Sequence, residues 1–392
     1  MNMVEWKRLG DICEIKGRIG FRGYTREDQV DKGEGAISLS PGNISDGSLK
    51  YDSCTYITWE KYDESPEIMV SEGDIILGKT ASVGKVARIK GLPEKATINP
   101  QLVLIKNINI NPQYLFYVLS DSPFQKTIKG LAGVGSVPNV SQAKLSQIPI
   151  PVPNPSEQER IVKILDTFTA SINNLKQQIA LRRKQYEYYR DQLLDLEGKE
   201  DEDIHTWGEF CEMIKGNGVQ KVDFVDEGVG CIHYGQIYTH YGSFTYLTNK
   251  FVTKEVFEKA RKASKGDIIM TDTSENVEDI CKSVAYLGEN DIAVSNHALI
   301  IKHNQDPKFL SYSTLTKNFF NQKRKVVVGV KVSGIKPEQL AKIKIYLPSL
   351  SEQQRIVDIL DKFEASIRNL EAQLSQREKQ CEYYRNKLLT FE

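Results

Sequence analysis

Nothing in this sequence approaches a run of 18 apolar residues, which excludes a transmembrane helix. The opening segment MNMVEWKRLGDICEIK contains no apolar core, which argues against a secretory signal. The six cysteines (Cys13, Cys54, Cys211, Cys231, Cys281, Cys381) form no CxxC pair, so neither a zinc ribbon nor a disulfide frame is expected, and reduced thiols in a cytoplasmic protein are. Five histidines (His205, His233, His240, His297, His303) show neither HExxH nor any other metal-ligand spacing. Net charge is missing too: 52 Lys+Arg offset 52 Asp+Glu, which taken whole argues against adhesion to any polyanion. What is present, 40% hydrophobic and 27% charged residues over 392 positions, describes a globular protein of two or more domains.

The chain is duplicated. Residues 156–197 align without gaps to 351–392, an offset of 195, with 26 of 42 positions identical. Weaker echoes hold the offset: Asn111 to Leu115 matches Asp306 to Leu310, and Val140 to Leu145 matches Ile335 to Leu340. Gly73-Asp74-Ile75-Ile76 recurs as Gly266-Asp267-Ile268-Ile269, and Gly42-Asn43-Ile44 as Gly235-Gln236-Ile237, with offsets drifting as loop insertions would cause. Two near-identical supports therefore carry two diverged domains.

The matching segments have the apolar spacing of long coiled-coil helices. The seam of the first runs through Ile161, Leu165, Phe168, Ile172 and Leu175, and that of the second through Ile356, Leu360, Phe363, Ile367 and Leu370. Each helix would extend roughly 60 Å at 1.5 Å per residue. Ser156 with Glu159, and Ser351 with Gln354, suggest capping boxes at their starts. Arg182 and Arg377 fall at the same seam register, where they either fix the pairing or reach outward to solvent. Val162, Ile164, Leu181, Tyr188 and Leu194 are apolar off the seam, which predicts a further helical partner. Between the supports, Gly73 to Leu77, Leu102 to Lys106, Ala298 to Lys302 and Lys325 to Val332 look like strands, and Pro112 to Ser120 and Pro307 to Phe320 like short helices.

Catalytic signals are weak. Gly73 to Thr80 fits the G-x-x-x-x-G-K-T phosphate loop, but its variable residues, Asp-Ile-Ile-Leu, look like a strand, and Ala81 to Val86 makes a poor helix. The second copy loses both Gly78 and Lys79. No Gly-x-Ser-x-Gly elbow occurs, and Asn99-Pro100-Gln101 and Asn111-Pro112-Gln113 lack the Asn-Pro-Pro-aromatic element of an amino-methyltransferase. A non-catalytic chain without cofactor is expected.

Charge is distributed in windows. Residues 1–78 hold 9 basic and 15 acidic residues, whereas 79–147 hold 9 and 2; residues 201–301 hold 9 and 17, whereas 302–344 hold 10 and 2. A repeated acidic-then-basic layout suggests one basic face per domain, as phosphate binding requires. The candidate contacts in the first half are Asn43, Lys79, Thr80, Ser82, Lys85, Gly135, Ser136 and Asn139. Those in the second are Tyr234, Gln236, Thr271, Ser274, Asn276, Lys323, Arg324, Lys325 and Lys331. Lys and Arg suit guanine edges, Asn and Gln suit adenine, and hydroxyls suit phosphates, so these types leave base and phosphate roles open.

With these features assembled, the sequence resembles the specificity subunit of type I restriction–modification systems. The resemblance rests on the duplication, on Pro-x-x-Ser-Glu-Gln-x-Arg-Ile-Val at Pro153 to Val162 and Pro348 to Val357, and on helices ending in Tyr-Tyr-Arg-x-x-Leu-Leu. Gly135 to Ser141, running into Leu145 and Ile148, also looks like the end of a target-recognition domain; the second copy departs there, at Gly329 to Gly334. The resemblance implies an α+β fold: two homologous mixed α/β target-recognition domains (1–150 and 201–345) and two long helices (151–200 and 346–392) forming an antiparallel coiled coil, with internal pseudo-two-fold duplication. It further implies that each domain reads half of a bipartite double-stranded DNA site in the major groove. The helices would set the spacer and dock two methyltransferase subunits, and motor–nuclease subunits would join them. The competing readings are a P-loop nucleotide hydrolase and a coiled-coil scaffold without DNA affinity.

Overall fold

The computed structural model describes residues 4–18, 23–133, 137–327 and 333–391. Two compact units emerge: residues 1–175 with 373–392, and residues 176–372. The boundaries fall inside both long helices, Pro155–Leu194 and Leu350–Leu389.

In the first unit, one antiparallel sheet runs in the order Glu14–Lys16, Leu102–Lys106, Ile75–Gly78, Val86–Arg88. Its two central strands are apolar from Ile75 to Leu77 and from Leu102 to Ile105 because both faces are covered, and period-2 alternation decides which side chain goes where. Ile75, Leu77, Val103 and Ile105 face the helix Pro112–Ser120 through Tyr114, Leu115 and Val118. Ile76, Leu102 and Leu104 face the other way, onto Ile37, Leu39 and Ile98 of a second sheet. That sheet runs Ala96–Ile98, Gly35–Leu39, Thr55–Thr58, Gln29–Val30, its first pair parallel. Each of these side chains is fully or almost fully buried, contributing about 1.5–3 kcal/mol over exposure. The helix Pro112–Ser120 starts where Pro112 needs no N–H partner and the Asn111 side chain accepts from the N–H groups of Gln113 and Tyr114.

The second unit repeats the plan with additions. Its first sheet runs Cys211–Lys215, Ala298–His303, Ile268–Thr271, Ser283–Tyr286, with Phe244–Thr245 added in parallel at the edge. Its second runs Phe224–Val225, Lys250–Val252, Val229–Ile232, Ile292–Val294, Lys262–Ala263. Trp207, fully buried, takes the place in this core that Leu9 takes in the first.

Inside each unit, part of one long helix packs antiparallel on part of the other. The contacts repeat at the sequence offset: Phe168 stacks on Tyr384 in the first unit (centroids 5.3 Å apart), and Phe363 on Tyr189 in the second (5.5 Å). The paired seam arginines lie over the same rings, Arg377 over Phe168 at 5.7 Å and Arg182 over Phe363 at 5.8 Å, so they belong to the packing and do not simply reach for solvent. Ile161 and Leu165 are buried in the first domain's core beside Leu389, and Ile356 and Leu360 in the second's beside Leu194. Ile172, Leu175, Ile367 and Leu370 are half-buried. Each helix is also fastened to its domain by polar pairs: Tyr117 Oη donates to Asp166 at 2.5 Å, Tyr312 Oη to Asp361 at 2.7 Å. Gln158 accepts from the Asn111 N–H at 2.9 Å, and Gln353 from the Asp306 N–H at 3.0 Å.

Several local expectations are corrected. The helix caps are Asn154, whose side chain accepts from the Glu157 N–H at 2.9 Å, and Ser349, accepting from the Glu352 N–H at 3.4 Å; Ser156 and Ser351 lie inside the first turn. In the first helix Pro155 takes the first helical position, where its missing N–H costs nothing. The segment Pro307 to Phe320 is two helices, Pro307–Ser313 and Lys317–Val326, separated by Thr316, which caps the second. Lys325 and Val326 end that second helix instead of starting a strand, and 328–332 lie outside the described residues. Of the off-seam apolar residues, Leu194 is buried in the second unit's core and Val162 packs on the first's, whereas Leu181 and Tyr188 stay 59% and 61% exposed. Among the described residues no helix is long and apolar enough to cross a membrane.

Candidate nucleic-acid interface

Both units present a polar junction where the strand after the Gly-Asp-Ile-Ile turn leaves its sheet. In the first, Gly78 ends the strand opposite Leu102. Lys79 then donates its N–H to the Gln101 carbonyl at 2.9 Å and accepts from the Val140 N–H at 2.9 Å. Thr80 bridges Asn139, its hydroxyl donating to Asn139 Oδ1 at 2.8 Å. Ala81 follows with φ +59°, a left-handed turn that brings Ser82 back so that its N–H reaches the Thr80 carbonyl at 2.6 Å. Lys79, Thr80, Ser82 and Asn139 are thus brought together from segments some 60 residues apart in sequence. Lys79 is half-buried, and that burial pushes its ammonium below the usual lysine range.

This geometry removes the phosphate-loop reading. Ile75 to Gly78 are ladder residues, hydrogen-bonded on both sides, and no helix follows Thr80 to aim an N-terminus at a phosphate. Lys85 lies at the exit of the same turn, its Nζ donating to the Pro41 carbonyl at 3.2 Å. Asn43, nearby in sequence, leaves the contact set. It is 4% exposed, and its side chain accepts from the Ser40 N–H and donates to the Lys50 carbonyl. Gly135 and Ser136 lie outside the described residues.

In the second unit, Thr271 and Gln236 also leave the set. Thr271 is fully buried, its hydroxyl donating to the Asp279 carbonyl at 3.1 Å. Gln236 is 9% exposed; it caps a helix by accepting from the His233 N–H and donates to Asn249. Lys323 is the clearest correction. Although it opens the run Lys323-Arg324-Lys325, it is 4% exposed and donates to the Glu278 and Ile280 carbonyls at 2.9 and 2.5 Å. Its desolvation pushes the ammonium below the usual range. Arg324 and Lys325, on the last turn of the same helix, are exposed, as is Asn276, while Ser274 is half-buried. Lys331 lies outside the described residues.

Tyr234 stays half-buried, its ring edge-on to His297 with centroids 5.3 Å apart. Tyr238 donates to the Thr273 carbonyl, which ties this aromatic group to the junction. His233, buried beneath, is pushed below the usual histidine range by desolvation and by the nearby Lys221 and His297.

The structure adds residues that composition alone did not mark. Gln101 sits beside Lys79, and in the second unit Lys215, His297 and Asp272 sit at the matching junction. The signal was available in principle, since Val140 and Ile335 match at the 195 offset and each donates to the residue in question. Among the described residues, no group of three His, Cys, Asp or Glu side chains is placed to hold a metal ion.

Comparison with known proteins agrees with the duplication. A family model described as the type I restriction modification DNA specificity domain matches the chain twice, over residues 3–182 and 203–378. A protein of Haemophilus influenzae described as a type I restriction enzyme specificity subunit is 30% identical over 304 residues, covering 72% of this chain and 73% of its own. The EcoR124I/EcoR124II specificity subunit of Escherichia coli is 30% identical over 296 residues, covering 71% and 70%. Among solved structures, the S subunit of the type I system of M. genitalium aligns over 100% of this chain and 98% of its own with a TM-score of 0.54. A chain from a type I restriction–modification assembly aligns over 98% and 97% with a TM-score of 0.61. Both are 15% identical, so they speak for the fold alone. With both halves matched by one family model, the chain belongs to the type I restriction–modification DNA specificity family.

Proposed function

We propose that this chain is the non-catalytic recognition subunit of a type I restriction–modification complex, in which residues 1–150 and 201–345 each read one half of a bipartite double-stranded DNA site. The observation that carries the reading is that both units repeat one backbone junction and dress it with different side chains, as two readers of different sequences require. Among the described residues the candidate contacts are Lys79, Thr80, Ser82, Lys85 and Asn139 in the first unit, and Tyr234, Ser274, Asn276, Arg324 and Lys325 in the second; Gly135, Ser136 and Lys331 stay candidates on the sequence alone. In this reading the long helices, 151–200 and 346–392, set the unread spacer and dock two methyltransferase subunits, with motor–nuclease subunits joining that core in the cytoplasm. Exposed Leu181, Tyr188 and Tyr383 on those helices support a protein partner, since apolar and aromatic surface of this kind is costly to leave wet.

The test is selection from a randomised duplex pool with the full chain and its methyltransferase subunits together. The expected result is enrichment of two short sequences at constant separation. Deleting four residues from one long helix should change that separation. A pool without enrichment would refute recognition, and an unchanged separation would refute the spacer role.

A further inference from the structure

The two units carry opposite chemistry at one equivalent position. Register fixes the equivalence: Gly78 faces Leu102 in the first unit as Thr271 faces Ala298 in the second, so the next residues, Lys79 and Asp272, correspond. Each donates its N–H to the residue preceding the facing strand, to Gln101 at 2.9 Å and to His297 at 3.2 Å. Each carbonyl accepts an N–H at 2.9 Å, from Val140 and Ile335 respectively. Thr80 then bridges Asn139, as Thr273 pairs with Gly334. The backbone is the same at every one of these bonds, and the side chains at these positions differ.

In the first unit, Lys79 Nζ has neither hydrogen-bond nor carboxylate partner among the described residues, although the side chain is half-buried. Its exposed neighbours carry the same kind of group. Asn139 Oδ1 is occupied by the Thr80 hydroxyl at 2.8 Å, and Gln101 Oε1 by Asn99 Nδ2 at 3.2 Å, which leaves both amide N–H groups available. Three donors, one of them charged, thus sit on adjoining backbone segments, Asn139 and Gln101 exposed and Lys79 half-buried. In the second unit the place is filled differently. Asp272, its side chain 6% exposed, draws Lys215 Nζ to 3.1 Å and faces His297 Nδ1 at 3.9 Å, and Gly334 offers no side chain at all.

Resting on the recognition function above, we propose that Lys79, with Asn139 and Gln101 beside it, is the specificity-determining cluster of the first unit and takes the acceptor-rich major-groove edge of a guanine, whereas Asp272 closes the same position of the second unit to that base. Guanine is the base whose major-groove edge presents two adjacent acceptors, N7 and O6. A phosphate is also an acceptor, but contact with it carries no sequence information and appears in the salt dependence instead.

The experiment is duplex selection with the full chain and its methyltransferase subunits, comparing wild type with Lys79→Met, which keeps the aliphatic stem. The exposed Asn139→Ala serves as a second variant whose folding is not at risk from burial. The expected result is a ten- to hundredfold loss of discrimination at one G·C pair of one half-site in both variants. The other half-site and the salt exponent should stay unchanged. Two results would overturn the inference: uniform weakening across all sequences with the salt exponent reduced by about one, which marks a phosphate contact, or unaltered preference. A wild-type complex that enriches nothing would instead overturn the recognition function itself.

Discussion

Lys323 offers the sharpest test of how far burial overrides sequence. Lys323→Met keeps the apolar stem but removes two charge-assisted hydrogen bonds to the Glu278 and Ile280 carbonyls. Orphaning buried carbonyls costs about 1–3 kcal/mol each, partly offset because an ammonium no longer has to be desolvated. A net loss of about 1–3 kcal/mol is therefore expected. Residues 176–372 make a unit of about 200 residues, for which 1 kcal/mol corresponds to roughly 2–4 °C in Tm. Calorimetry should then show the second unit melting about 2–12 °C lower. The pH dependence has a definite sign. Because burial lowers the folded-state pKa below the unfolded one, the unfolded chain binds more protons between the two values, and stability rises with pH there. The cost of the buried charge is fully present below the folded pKa. Wild type should consequently gain stability relative to Lys323→Met as pH rises toward 10.5. Arg324→Ala and Lys325→Ala, exposed on the same helix, should leave Tm unchanged and each lower the salt exponent of DNA binding by about 0.9. If Lys323→Met left Tm alone and lowered the salt exponent as they do, the structural assignment of Lys323 would be wrong.

Three further outcomes follow from the packing. Tyr117→Phe and Tyr312→Phe each lose one hydrogen bond to a helix aspartate, so each should cost about 1 kcal/mol in denaturant titrations, the first in the first unit and the second in the second. Phe168→Ala and Phe363→Ala remove both an aromatic stack and the surface under an arginine, for a loss of about 2–4 kcal/mol that urea unfolding should resolve. Burial pushes the thiols of Cys13, Cys211, Cys231 and Cys281 up to about 12, so in native protein at neutral pH iodoacetamide should modify Cys54 and Cys381 well before these four, as peptide mass mapping would show.

The duplication was legible because it is written in side chains that fasten helix to domain. Tyr117–Asp166 and Tyr312–Asp361 both keep the 195-residue offset. The seam was legible for the same reason, a period that survives without knowledge of partners. The contact set was not, because burial is a property of segments distant in sequence. Lys323 lies in a basic run that only the loop at 278–280 turns inward. Asn43, Gln236 and Thr271 are polar for the sake of nearby backbone groups, and nothing local separates such a residue from one that meets a ligand. Asp272 and Lys79 look unrelated in sequence, and only the strand register reveals them as counterparts.

The composition of the first unit also imposes an order in time. Its core closes around Leu389, with Leu388 and Phe391 against it, yet Ile161 and Leu165 of the same core are made more than 220 residues earlier. The intervening residues 176–372 take about 10–40 s to synthesise at roughly 5–20 residues per second. For that interval the apolar stripe of the first long helix waits uncovered on a nascent chain, whereas residues 176–372 complete their own unit without a gap. The domain encoded first is thus the one finished last, and a ribosome stalled after residue 372 would release a chain with a complete second unit and an open first one.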